Sequence, residues 1–163
     1  MPIEQLCKES IEMLKMMISV PSLSREEKTV ADMIEGLLAS MGLQTQRSKN
    51  NCWVVAPGYD SSRPTILLNS HVDTVRPTGE WDSDPYTPVL EDDRLTGLGS
   101  NDAGAALVSL LATFRYLAEI PQHYNLIFAA TAEEEVSGIN NVGSILAELG
   151  KGDLVIVGEP TEM

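Results

Sequence analysis

The chain has 163 residues, of which 43% are hydrophobic and 21% are charged, a composition typical of a folded globular domain and not of a disordered segment. It carries 11 Lys and Arg against 24 Asp and Glu, so its formal net charge is -13. This charge repels nucleic-acid phosphates and anionic lipids, so we expect no nucleic acid and no membrane as a partner, whereas bound divalent cations are favoured. No apolar run approaches the ~20 residues of a membrane span and no basic leader is present, so we expect a cytoplasmic protein.

The first part of the sequence predicts two helices followed by two short strands. Apolar residues recur at three- and four-residue intervals over 3–18, which is the spacing of an amphipathic helix. Ser24 and Glu27 fit a capping box, which would begin a second helix that runs to about Met41 with Gly42 just past its end. The two short strands are predicted at 43–47 and 52–56.

The rest of the sequence alternates buried strands with loops and helices, the pattern of an α/β fold. The apolar run at 65–69 fits a strand that is buried on both faces of a mixed sheet. The later elements are predicted as an irregular loop at 77–88, a hairpin at 89–98, a helix at 107–117, a strand at 124–131, a short helix near 142–149 and a strand at 153–157.

Acidic or imidazole side chains follow each of the three buried strands, and one more lies in a glycine-rich loop. They are His71 and Asp73 after the first strand, Glu134 and Glu135 after the second, Glu159 after the third, and Asp102 in the loop 97–104. Because the carboxyl ends of parallel strands share one sheet edge, we expect these side chains to converge. His with carboxylates and without Cys is the ligand set of a hydrolytic zinc site.

Each of these features also has a purely structural interpretation. A lone His-x-Asp pattern arises by chance, the run 133–135 is typical of a solvated helix start, Glu159 fits a loop acid, and the loop 97–104 fits a flexible turn. A phosphate-binding loop is disfavoured, because the GxGxxG pattern and the Walker lysine are both absent. The ordered occurrence of all four features together favours the metal interpretation.

Five ordered segments carry a resemblance to a known family, over nearly the whole chain from about Ile11 onward. They are 71–73 (HVD), 81–88 (WDSDPYTP), 97–102 (GLGSND), 131–138 (TAEEEVSG) and 158–161 (GEPT). Together they resemble the di-zinc deacylases and exopeptidases, which include acetylornithine deacetylase, succinyl-diaminopimelate desuccinylase and glutamate carboxypeptidase. The resemblance implies an α/β three-layer sandwich with a mixed, largely parallel sheet flanked by helices.

The same resemblance implies a role for each candidate ligand. His71 would be a terminal ligand of one zinc, with Glu159 as the remaining ligand of that ion. Asp102 would bridge both zincs, and Glu135 would bind the second. Asp73 would hydrogen-bond the other nitrogen of His71 and so fix its tautomer.

The resemblance makes Glu134 the general base. A one-residue shift in the match would give the base to Glu133 and the ligand to Glu134, so this register stays open. A cis peptide is also implied after the bridging acid, between Asp102 and Ala103. The implied cofactors are two Zn²⁺, for which Co²⁺ or Mn²⁺ could substitute.

The resemblance implies hydrolysis of an amide, in which Glu134 would take a proton from a metal-activated water and return it to the departing amine. The sequence looks nearest to the acetylornithine deacetylase branch of arginine biosynthesis, in which the acyl group is acetyl or succinyl. The expected substrate is therefore a small N-acyl amino acid. The alternatives are a dipeptidase or carboxypeptidase of the same family and a non-catalytic metal-binding module, and the presence of Glu134 speaks against the latter.

Members of this family are usually much longer, so residues 1–163 are interpreted as the N-terminal part of the zinc-hydrolase catalytic domain. The lid and dimerisation domain, the C-terminal part of the catalytic domain and a late His ligand would then be absent. A homodimer is expected to form through the lid domain, and this piece alone is expected to be inactive. His123, one of 2 histidines, precedes a strand and is expected at the opposite end of the sheet.

Overall fold

A computed structural model describes residues 1–160 of the chain, so Thr161 in the last of the resembling segments lies outside the described residues. None of the helices in this range is long and apolar enough to cross a membrane. The helices are α1 (Ile3–Ile18), α2 (Lys28–Ser40), α3 (Ala105–Ala118) and α4 (Leu146–Leu149). The strands are β1 (Thr45–Ser48), β2 (Asn51–Val55), β3 (Thr65–His71), β4 (Val89–Glu91), β5 (Arg94–Thr96), β6 (Asn125–Thr131) and β7 (Leu154–Val157).

The main sheet contains the strands β1, β2, β6, β3 and β7 in that order. β3 pairs in parallel with β6 and β7, whereas β2 pairs antiparallel with β1 and β6. β2 therefore runs against all the other strands, and the expected mixed, largely parallel sheet is confirmed. β4 and β5 form the predicted hairpin outside this sheet, with Asp92 and Asp93 in the left-handed conformation at its turn.

Helices pack against both faces of the sheet. α1, α2 and α3 cover one face and enclose the larger core, in which the rings of Phe114 and Phe128 lie 6.3 Å apart between centroids. On the other face, Ile145 and Leu149 from the short helical segment pack with Trp53. Burial of this apolar surface is the main force that holds the layers together. The three-layer sandwich expected from the resemblance is confirmed.

The start of α2 differs from the sequence prediction. The helix begins at Lys28, with Glu27 at the N-cap position and no side chain capping it. The Ser24 hydroxyl, predicted as the cap, instead donates to Asp73 Oδ2 at 2.8 Å. The predicted end is confirmed, because Gly42 follows the helix with a φ of 78°, a left-handed conformation that glycine adopts readily.

The parallel strands bring the candidate site residues to one edge of the sheet. β3 ends at His71, and its parallel neighbours β6 and β7 end at the same edge. The acidic loop, defined here as residues 132–135, follows β6, and Glu159 follows β7. A kinked segment at 100–104, in which Asp102 and Ala103 have non-helical backbone angles, leads into α3. The topology therefore places a loop from each of these elements around the end of β3.

Candidate metal centre

The imidazole of His71 is buried and held in one orientation. Its side chain is 1% exposed, and its Nδ1 donates to the main-chain carbonyl oxygen of Asp73 at 2.8 Å. The Asp73 carboxylate is also near, with Oδ1 at 3.4 Å from Nδ1. The nearer acceptor is thus the carbonyl, whereas the resemblance implied the carboxylate. Either acceptor keeps a proton on Nδ1 and leaves Nε2 to face the acids.

The other nitrogen of His71 faces three carboxylates among residues 1–160. Nε2 lies 3.1 Å from Asp102 Oδ1, 3.4 Å from Glu159 Oε2 and 4.0 Å from Glu134 Oε2. Burial alone would lower the pKa of His71, but the hydrogen bond to Asp73 and the negative charge of Glu159 outweigh it and raise the pKa to about 9. Since ionised carboxylates cannot donate, Nε2 must carry either a proton or a metal ion.

The candidate ligands form two overlapping groups around this imidazole. One group contains His71, Asp102 and Glu135, and the other contains His71, Glu134 and Glu159, with the ligand atoms of each group within 4.8 Å of one another. Nitrogen and carboxylate oxygen donors at these separations fit Zn²⁺, Co²⁺ or Mn²⁺. The peptide between Asp102 and Ala103 is cis, as the resemblance implied.

Two of these acids have a raised pKa in the absence of a metal ion. The pKa of Glu135 is raised, first by burial and then by the charge of Asp102. The pKa of Glu159 is also raised, again first by burial, with the charges of Glu134 and Asp102 adding to the effect. A divalent cation would remove this mutual repulsion, and the donor set therefore fits a metal centre.

The Asp73 carboxylate accepts hydrogen bonds from the acidic loop. Its Oδ1 accepts from the amide of Glu134 at 3.1 Å, and its Oδ2 accepts from the amide of Glu135 at 3.1 Å. Burial opposes ionisation, but hydrogen bonds from His71, Ser24 and these amides hold the pKa of Asp73 below its usual value. Asp73 therefore stays ionised and joins the imidazole, the loop and Ser24.

The structure distinguishes Glu133 from its two neighbours. Glu133 is 4% exposed, and its Oε1 accepts from the side-chain amide of Asn140 at 2.5 Å. It belongs to neither group of candidate ligands, which contain Glu134 and Glu135 instead. This geometry favours the register with Glu134 and Glu135 over the one shifted by a residue.

His123 lies away from the cluster. It precedes β6, whereas the acidic loop follows that strand, and His123 belongs to neither candidate group among residues 1–160. Sequence reasoning missed the part played by Ser24, which is separated from Asp73 by 49 positions. Its only local signal was the capping pattern, which suggested a different role.

Comparison with known proteins identifies a family model and several relatives that match this chain. The family model described as Peptidase family M20/M25/M40 matches residues 67–163. Succinyl-diaminopimelate desuccinylase of Delftia acidovorans is 29% identical over 171 residues, which cover 94% of this chain and 44% of that protein. The chain thus spans less than half the length of this curated relative.

Two solved structures share the fold. Human carnosine dipeptidase 1 matches with a TM-score of 0.77 and 18% identity, over 97% of this chain and 40% of that one. A dinuclear metal binding peptidase from Bacillus subtilis matches with a TM-score of 0.71 and 15% identity, over 94% of this chain and 43% of that one. The family match covers more than half of the chain and includes every candidate ligand from His71 to Glu159. The chain belongs to Peptidase family M20/M25/M40.

Proposed function

We propose that this chain contributes the metal-binding core of an amide hydrolase that removes an acyl group from an N-acyl amino acid. The observation that carries the proposal is the convergence of Asp102, Glu134 and Glu159 on the buried Nε2 of His71. The relative named succinyl-diaminopimelate desuccinylase supports a deacylase and favours a succinyl over an acetyl group. N-Acetylornithine, which the sequence suggested, stays a prediction, and so does a role in arginine biosynthesis.

In this proposal two divalent metal ions share the cluster. His71 and Glu159 would hold one ion and Glu135 would hold the other. Asp102 would bind both, because its Oδ1 lies 3.1 Å from His71 Nε2 and it shares a candidate ligand group with Glu135. A bound metal pair polarises an amide carbonyl and makes water a stronger nucleophile at neutral pH. The description of the Bacillus subtilis relative as a dinuclear metal binding peptidase supports this count.

Glu134 is the residue proposed to move protons. Its carboxylate is half exposed, with 53% of the side chain accessible, and its Oε2 lies 4.0 Å from His71 Nε2. From there it would accept the proton of the attacking water as the new C–O bond forms. It would then deliver that proton to the amine nitrogen as the C–N bond breaks. Asp73 would keep the imidazole of His71 oriented through its carbonyl and carboxylate.

The test compares Glu134→Gln with Glu135→Gln in the complete, metal-loaded polypeptide. We expect Glu134→Gln to retain bound metal and lose at least ~100-fold in kcat, because only the proton acceptor is removed. Glu135→Gln is expected to lose metal, because an amide is a weaker ligand than a carboxylate. Metal content measured by elemental analysis, together with turnover, separates the two. Loss of metal in Glu134→Gln with retention in Glu135→Gln would reverse the assignment.

A second candidate is a dipeptidase, which the fold match to human carnosine dipeptidase 1 supports. Assay of N-succinyl-diaminopimelate, N-acetylornithine and simple dipeptides with the same polypeptide distinguishes the two classes. Exclusive turnover of dipeptides would reject the deacylase proposal. Absence of turnover with full metal occupancy would instead support the non-catalytic module.

The assembly and domain predictions have no direct test in the structure. That residues 1–163 form the N-terminal part of the catalytic domain stays a prediction. The homodimer and the cytoplasmic location stay predictions as well.

A further inference from the structure

The acidic loop is held by side chains at every one of its backbone amides. These four donors have no strand partner, because β6 ends at Thr131. The acceptors are buried side chains from three separate parts of the chain. The bonds are Ala132 to Asn51 Oδ1 at 2.9 Å, Glu133 to Glu27 Oε1 at 3.3 Å, Glu134 to Asp73 Oδ1 at 3.1 Å and Glu135 to Asp73 Oδ2 at 3.1 Å.

Glu27 is the least expected of these acceptors. It is 0% exposed, and an isolated carboxylate is costly to bury. Three N–H groups surround it: Oε1 accepts from the Arg25 amide at 2.5 Å as well as from Glu133, and Oε2 accepts from Asn50 Nδ2 at 2.9 Å. These donors come from the loop before α2, the turn between β1 and β2, and the acidic loop. Glu27 therefore joins three segments that are distant in sequence.

Asn51 and Glu133 hold the far side of the same loop. Asn51 is 0% exposed and donates from Nδ2 to the carbonyl of Asn140 at 2.8 Å, while its Oδ1 accepts from Ala132. The Glu133 carboxylate accepts from both the amide and the side chain of Asn140. Hydrogen bonds therefore hold the backbone at Ala132, where the acidic loop begins, and join Glu133 to the later segment at Asn140.

We propose that Glu27, assisted by Asn51, is a positioning residue that sets the direction of Glu134 and Glu135. The inference rests on the proposed function, since it assigns those two side chains to the metal centre. The Glu133 amide lies next to Glu134 in the chain, so a shift of that peptide moves both acids relative to His71. Active-site groups act only within about 0.5 Å of their productive position, so a small displacement is costly.

The first measurement needs no metal. Amide hydrogen exchange is followed in metal-free wild type, in Glu27→Leu and in Ile34→Ala. Ile34 is 0% exposed on α2 and belongs to the larger core cluster, which contains none of residues 132–135. Its replacement by Ala is the matched control, because it lowers stability through the core. In Glu27→Leu we expect the Glu133 amide to exchange roughly tenfold faster than the β6 amides of the same protein, because it loses its acceptor. The control should accelerate exchange at all amides equally. The same uniform acceleration in Glu27→Leu would refute the proposal that Glu27 holds the acidic loop.

The second measurement tests whether the hydrogen bonds of Glu27 affect the metal centre. Co²⁺ is titrated into the complete polypeptide, and its visible absorption reports the ligand geometry. We expect Glu27→Leu to weaken Co²⁺ binding by about 10–100-fold and to change the spectrum, whereas Ile34→Ala binds with the wild-type spectrum. An unchanged spectrum and affinity in Glu27→Leu would overturn the positioning role. Failure of wild type to bind Co²⁺ would reject the proposed function. The exchange data would still show whether Glu27 holds the Glu133 amide.

Two further variants keep the test decisive. Glu27→Gln retains an oxygen for the Glu133 amide, and the Asn50 side chain can flip to pair with the new amide group, so we expect near wild-type exchange and Co²⁺ binding. Loss of binding in this conservative variant would mean that the charge of Glu27 acts, and not its hydrogen bonds. If Glu27→Leu does not fold, Asn51→Leu removes the neighbouring acceptor from another strand and is expected to accelerate exchange at Ala132.

Discussion

Replacement of Asp73 by Asn tests how the buried carboxylate supports the site. The substitution is isosteric, so it creates no cavity, but one of the two oxygens becomes an NH₂ group. In the wild type, Asp73 Oδ1 accepts from the backbone amide of Glu134, and Oδ2 accepts from the backbone amide of Glu135 and the hydroxyl of Ser24. Whichever way the new amide turns, one backbone N–H of the acidic loop faces another donor. We therefore expect Asp73→Asn to lose about 3 kcal/mol of unfolding free energy, the value of a charge-assisted bond and an unsatisfied buried amide.

The assay combines urea unfolding in the presence of EDTA with competition against a chromophoric chelator for the metal. The metal affinity of Asp73→Asn is expected to fall by about 10–100-fold, because His71 and the acidic loop both lose part of their support. Asp84→Asn is the matched control. Its carboxylate also accepts from a backbone amide and a hydroxyl, those of Tyr86 and Thr87, each at 3.0 Å, but it lies on an exposed loop.

The control should change stability by less than about 0.5 kcal/mol, since water can replace its hydrogen bonds. Equal unfolding free energies for Asp73→Asn and Asp84→Asn would refute the argument about the buried carboxylate. A loss of stability without a loss of metal affinity would show that Asp73 supports the fold and not the metal centre.

Two other predictions concern a thiol and a glycine. Burial raises the pKa of Cys52 to about 11, so its reactive thiolate is scarce at pH 8 and increases tenfold per pH unit up to that value. Titration with a thiol reagent at pH 8 should detect Cys7, which is exposed, at once and Cys52 only after unfolding, whereas rapid labelling of both would contradict the burial. Gly138→Ala should lose about 1–3 kcal/mol, because the new Cβ would lie within 2.8 Å of three Glu133 side-chain atoms. The control is Gly36→Ala, whose added Cβ has nothing within 4 Å. A melting temperature of Gly138→Ala no lower than that of this control would contradict the prediction.

The elements and the edge that carries the site were predictable because both depend on short sequence patterns. The apolar run before His71 and the strand before the acidic loop are each bounded by polar residues, and parallel pairing then brings their ends together. His71 and Glu159 could be identified in this way without any knowledge of long-range contacts, whereas Asp102 was indicated by its glycine-rich loop before a helix. Their roles in metal binding remain predictions.

The supporting hydrogen bonds could not be predicted, because they join residues that are far apart in sequence. Glu27 and Glu133 are separated by 106 positions, and Asn51 and Ala132 by 81. The local pattern was also misleading at Ser24 and Glu27, which fit a capping box but bond to other segments. A capping interaction contributes only about 1 kcal/mol, so bonds to a buried carboxylate and a buried loop outweigh it.

Repulsion between the carboxylates of the site depends on metal binding, whereas the hydrogen bonds that hold the acidic loop do not. Like charges at Glu135 and Glu159 favour separation of those side chains when no cation is present, which is consistent with the raised pKa of each. The backbone that carries the acidic loop is held through Asp73, Glu27 and Asn51, and these bonds involve no proposed ligand atom. Metal binding is therefore expected to relieve repulsion between side chains without building the loop. A loop fixed in advance loses little conformational entropy when the ion binds, and the same loop keeps Glu134 beside His71.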